Sequence, residues 1–130
     1  MRLGELDDLN AVLREWRGHS NALLWRYSAT FRRMVLRLDY RDGGKSMQIL
    51  ALGCRRLAGP VDWLDASLEA RVTQEIDPRN GDALLELKDE AAGFHLVCHE
   101  LSAAIEEWPT LEASLANFDV EDLDDGFGPY

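Results

Sequence analysis

The sequence has no long apolar run. Its longest, such as Ile49 to Gly53, fall far short of the ~20 residues that a membrane-spanning helix needs. The first residues, MRLGELDDLN, are acidic and amphipathic and hold no uninterrupted apolar stretch of the export-signal kind. Cysteine is scarce. Cys54 and Cys98 sit in apolar surroundings (LALGC and FHLVC) and read as small buried hydrophobes, not as a disulfide framework. These absences predict a cytoplasmic protein with no membrane contact. There is no internal repeat and no linker, so the 130 residues are expected to form a single α+β domain over 1–118, with an acidic tail over 119–130.

Basic charge is missing from the last third. Lys88 is the last basic residue, and 89–130 carries 11 carboxylates. Over the whole chain 24 Asp and Glu oppose 14 Lys and Arg, for a net charge of −10. Residues 1–45 hold 9 basic and 6 acidic side chains, whereas 46–130 hold 5 and 18. Such a chain repels phosphate backbones and anionic lipid over most of its surface, which argues against nucleic acid and membrane as partners. The 46% of hydrophobic residues is ample for a packed core.

What is present is periodic. Leu3, Leu6, Leu9, Val12, Leu13 and Trp16 recur at three- and four-residue steps and predict a helix ended by Gly18. From Asn21 the period becomes two. Trp25, Tyr27, Ala29 and Phe31 alternate with Arg26, Ser28, Thr30 and Arg32; then Met34, Leu36, Leu38 and Tyr40 alternate with Arg33, Val35, Arg37 and Asp39. The parity flips between Phe31 and Met34, so a bulge or strand break is expected near Arg32–Arg33. After the turn-forming residues 41–45, Met47 to Leu52 reads as a central strand. Ala66 to Val72 and Ala83 to Lys88 read as strands joined through residues 77–82, where Asn80-Gly81 suits a type I′ turn and Pro78 suggests a wider loop. Phe94, Leu96 and Cys98 alternate with His95, Val97 and His99 as another strand. Leu101, Ile105 and Trp108 fit either a short helix or a continued strand, and 110–116 a last short helix. The register buries Leu36, Leu38, Ile49, Leu68 and Leu96 and exposes Arg37 and Glu69. The expected architecture is an N-terminal helix on a curved, mostly antiparallel sheet of about five or six strands, with a short C-terminal helical segment and the acidic tail.

The motifs that could carry chemistry fail on geometry. Gly43-Gly44-Lys45-Ser46 resembles the end of a phosphate-binding loop, but Asp39 stands where the first glycine belongs and a strand follows instead of a helix. His95 and His99 on one strand lie about 13 Å apart and cannot share an ion; they read as solvent-side histidines. Arg55 and Arg56 follow Cys54 and could lower its pKa, but a buried cysteine ending a core strand is the simpler reading. Counting back from Gly126 puts Leu123 at a ligand position, so the tail is no calcium loop. Arg26, Arg32, Arg33 and Arg37 form a basic strip on a polar face, with Trp25 and Tyr27 expected opposite, and these arginines suit pairing with acidic groups of the chain or of a partner. No catalytic residue, metal site or cofactor is expected. The sequence favours a non-catalytic protein-binding module of the bacterial immunity or inhibitor type, engaging a basic protein through Asp119, Glu121, Asp122, Asp124 and Asp125. The alternatives are a homo-oligomeric accessory subunit, such as a homodimer, and a small-molecule-binding α+β domain.

Overall fold

The computed structural model describes residues 2–28, 32–41 and 44–107, and the side chains of all of these except Arg2 and Glu107. Helix α1 spans Leu6–Trp16, with Asp7 and Asp8 in its first turn and Arg14 in its last, the arrangement the helix dipole favours. Leu9, Leu13 and Trp16 are its buried positions. Gly18 ends the helical turn at φ +76° and donates its amide to Ala66 O at 3.0 Å. Leu3 is not the first residue of the helix, as its spacing predicts. Gly4 and the extended Glu5 interrupt the pattern, and Arg2–Leu3 forms a two-residue strand, β1, with Leu3 opposite Ala103.

The strands form two antiparallel sheets rather than the single sheet expected. In the first, β2 (Ser20–Ser28), β3 (Arg33–Tyr40) and β4 (Lys45–Leu52) make a meander. Strand β10 (Glu100–Glu107) adds beside β4, with β1 beyond it, and β6 (Asp62–Trp63) closes the other edge against β2. The second sheet is a meander of β7 (Glu69–Ile76), β8 (Ala83–Asp89) and β9 (Phe94–Cys98), extended past β9 by β5 (Arg56–Ala58). Strands β5 and β6 escape sequence reading because two or three residues carry no period. The ambiguous stretch after Leu101 is strand: Glu100 to Glu107 pair in unbroken register with Leu52 to Lys45.

One core fills the space between the sheets. Leu36, Leu38, Met47 and Ile49 of the first sheet meet Leu87, Phe94 and Leu96 of the second and Leu68 just before β7, and Leu9, Leu13 and Trp16 of α1 join them. The five residues expected to be buried are buried, and Glu69 is exposed. Arg37 is not exposed. Its side chain keeps 16% of its surface, bonds Asp39 at 2.6 Å and lies 4.3 Å from the Trp25 ring. The parity flip before Met34 is a strand break, since the chain reverses between β2 and β3 and Arg32 takes φ 49°. The bulge itself lies at Trp25, between the Leu24 and Arg26 pairings. The 77–82 loop is wider than two residues, closed by Asp77 N to Asp82 O and Gly81 N to Asp77 O, both 2.8 Å. Gly81 has positive φ and Asn80 does not, so this is no type I′ turn. The helix expected at 110–116, the acidic tail and the domain boundary at residue 118 lie outside the described residues.

Candidate functional site

The outer face of the second sheet gathers four of the described ion pairs. Strand alternation sets Arg71 on β7, Glu86 and Lys88 on β8 and His95 on β9 away from the core. Glu86 is 8% exposed. Its Oε1 accepts from Arg71 Nε at 2.6 Å, and its Oε2 lies 2.5 Å from His95 Nε2. Burial pushes this carboxyl up, but the hydrogen bonds from His95 and Arg71 outweigh it, and the net shift is downward. Alongside, Arg56 donates to Glu75; that bond holds the Glu75 carboxyl below its ordinary value.

A second constellation sits where β7 ends. Asp77 is 2% exposed. Its Oδ1 accepts from the Arg79 amide at 2.8 Å, while His99 Nε2 lies 2.9 Å and Arg55 Nη1 3.9 Å from its Oδ2. The Arg79 amide bond lowers the Asp77 pKa against the opposing pull of burial, and His99 and Arg55 lower it further. Gly53, at φ +67°, packs against this histidine: a Cβ there would lie 2.6 Å from His99 Cδ2. The glycine is what lets the imidazole approach the strand end.

A third buried carboxylate, Asp89, accepts from Trp63 Nε1 and Ser67 N, both at 2.8 Å, and so ties β8 to the loop and edge strand of the other sheet. Beside it lies an open cleft of about 360 Å³, lined by Arg17, Ser67, Glu69, Lys88 and Glu90.

This arrangement neutralises charge within the fold. His95 and His99 each direct Nε2 at a buried carboxylate, and among the described residues neither pair shows a hydrogen bond to a hydroxyl or thiol. Burial pushes the Cys54 thiol up to about 11 and the Cys98 thiol up to about 12, so both stay protonated at neutral pH despite Arg55 and Arg56 beside Cys54. Both cysteines are free. Among the described residues no group of three or more His, Cys, Asp or Glu is placed to hold a metal ion, and no helix is long and apolar enough to cross a membrane.

The five carboxylates expected to contact a partner, Asp119, Glu121, Asp122, Asp124 and Asp125, lie outside the described residues. His95 faces outward from the second sheet as the alternation suggests, whereas His99 lies beyond the end of β9; their side chains keep 38% and 26% of their surface and each meets a carboxylate. The one sequence signal for Asp77 is its place at the head of a turn, where an Asp side chain bonds a following amide. Nothing in the sequence signals the His99 pairing, because it joins a loop to a strand end. The basic strip is rearranged as well. The bulge turns Trp25 to the face of Arg37, Arg26 and Arg33, whereas Arg32 lies in the turn.

No family model matches the chain. No curated protein and no solved structure matches it either.

Proposed function

We propose that the chain is a small non-catalytic protein-binding module of the immunity or inhibitor type, acting in the cytoplasm on a basic protein and needing no cofactor. The observation that supports this reading is how the carboxylates are divided. Glu75, Asp77 and Glu86 are engaged within the fold by Arg71, Arg56, Arg55, His95 and His99. The excess negative charge is concentrated in the stretch after Lys88, which has no basic residue. A one-signed acidic stretch suits occupation of a basic cleft and fast electrostatic association. In this reading Asp119, Glu121, Asp122, Asp124 and Asp125 are contact residues.

The test is affinity capture with the full chain. The native protein is compared with a variant carrying Asp119→Asn, Glu121→Gln, Asp122→Asn, Asp124→Asn and Asp125→Asn. The reading predicts a basic protein retained by the native chain and lost from the variant. Identical captures would contradict it. One observation favours a second reading, the homo-oligomeric subunit: β7 is a sheet edge, and its Val72 and Ile76 are 56% and 61% exposed. Sedimentation of the native chain against Val72→Glu decides that alternative.

A further inference from the structure

Two chain crossings meet at one corner of the fold. Strand β4 of the first sheet runs through residues 53–55 into β5 of the second, and β9 of the second runs through His99 into β10 of the first. The crossings are antiparallel neighbours: Leu52 pairs with Glu100 on one side of the corner and Arg56 with Val97 on the other. Between them His99 N donates to Leu52 O at 3.0 Å and Arg55 N to Val97 O at 2.7 Å. The two registers differ by one residue. Continued from Leu52, the first sets Gly53 opposite His99 and Cys54 opposite Cys98; continued from Arg56, the second sets Cys54 opposite His99. Packing at the corner follows the first, since a Cβ on Gly53 would lie 2.6 Å from His99 Cδ2 and 3.0 Å from His99 Cβ. Both thiols lie on the core side. Cys98 is fully buried within the core cluster, and Cys54 packs against that cluster. Residues opposed across an antiparallel pair have Cα atoms about 4.5–5.5 Å apart, within the range of about 4.4–6.8 Å that disulfides span. Burial is the main cause that raises the Cys98 thiol, and the nearness of Cys54 raises it further.

We propose that Cys54 and Cys98 are a disulfide-forming pair, oxidised by a low-molecular-weight disulfide of the glutathione class. Cys54 is the entry thiol. It is partly exposed, and it precedes the exposed Arg55 and Arg56, whose charge attracts an anionic disulfide. The Cys54 thiolate attacks one glutathione sulfur, the glutathione S–S bond breaks, and one glutathione thiolate leaves. The Cys98 thiolate then attacks the Cys54 sulfur of the mixed disulfide, and the second glutathione thiolate leaves. Two electrons pass from the cysteine pair to the glutathione disulfide, and the two protons that the cysteines lose end on the two glutathione thiolates. Each thiol gives up one hydrogen bond, Cys54 to Ala51 O at 3.7 Å and Cys98 to Glu100 O at 3.4 Å. Scarcity of thiolate makes both steps slow at neutral pH, so the pair answers sustained rather than transient oxidation. The bond would clamp the two crossings that connect the sheets. The proposal is independent of the acidic stretch and of the partner proposed above.

Thiol–disulfide equilibrium on the full chain tests the proposal. The protein is equilibrated near pH 8 with reduced and oxidised glutathione, once folded and once in denaturant, then quenched with acid and resolved by mass. The proposal predicts a Cys54–Cys98 bond, identified as a linked peptide. It predicts an effective thiol concentration about tenfold or more higher in the folded chain than in the unfolded one. By linkage, the unfolding equilibrium constant of the oxidised chain falls by the same factor. In Cys98→Ser, one glutathione remains on Cys54. An effective concentration no higher in the folded chain than in the unfolded one overturns the proposal. So does a native chain that stops at a glutathione adduct, or one that forms a disulfide-linked dimer instead of the internal bond. The folded-against-unfolded comparison uses the native sequence, so it remains decisive if Cys98→Ser fails to fold.

Discussion

At the scale of single residues, Glu86 and Asp77 show how buried charge is tolerated here. Each carboxylate collects donors from more than one element, so the folded state holds both pKa values below those of free side chains. A depressed folded-state pKa gives stability that is complete above the unfolded value and is lost as pH falls through the folded value. The ordinary values are 4.5 for Glu86 and 3.8 for Asp77, so this contribution begins to fall near pH 4.5 and 3.8 respectively and is gone once pH passes below the folded values. Glu86→Gln should therefore lower the melting temperature near pH 7 and reduce its fall on acidification, as a thermal melt series in pH would show. In the core, Leu36 is fully buried, and Leu36→Ala should cost about 2–5 kcal/mol in denaturant unfolding. The burial of Leu36 was legible because alternation fixes a face. The partners of Glu86 and Asp77 were not, because they depend on which strands pair and in which register.

At the scale of elements, one side chain fastens the helix to the second sheet. Asn10 of α1 donates Nδ2 to Ala70 O at 2.6 Å and accepts from Ala70 N at 2.9 Å, taking the place of a strand on the open edge of β7. Asn10→Ala leaves both backbone groups without that partner and should cost roughly 1–3 kcal/mol. Hydrogen exchange should speed up at the Ala70 amide more than at β4. Gly59 plays the corresponding part in the tight approach of its loop to β9. Its φ is +120°, and a Cβ would meet Gly93 O at 2.6 Å and Phe94 Cα at 2.7 Å. Gly59→Ala should lower the melting temperature by several degrees, since backbone on both sides must move. The long hairpins were readable from turn residues and period-two stretches. The Trp25 bulge and strands β1, β5 and β6 were not, because tertiary pairing alone makes them strands.

At the scale of the whole molecule, two sheets and a helix enclose one core, and ion pairs within the fold engage Asp39, Asp65, Glu75, Asp77, Glu86 and Glu90. The class of the fold, α+β with antiparallel strands, followed from alternating segments joined by short connections; the split into two sheets did not, since pairing order leaves no mark on a period. The acidic excess of the last third is a property of the sequence, and the proposed function rests on it. Its most direct test is the association rate of the full chain with a captured basic partner, measured at low and at near-physiological salt, where the Debye length is about 8 Å at 0.15 M. The account predicts a steep fall in association rate with salt. It predicts a similar fall on neutralising Asp119, Glu121, Asp122, Asp124 and Asp125, with a smaller change in dissociation. An association rate indifferent to both salt and neutralisation would contradict it.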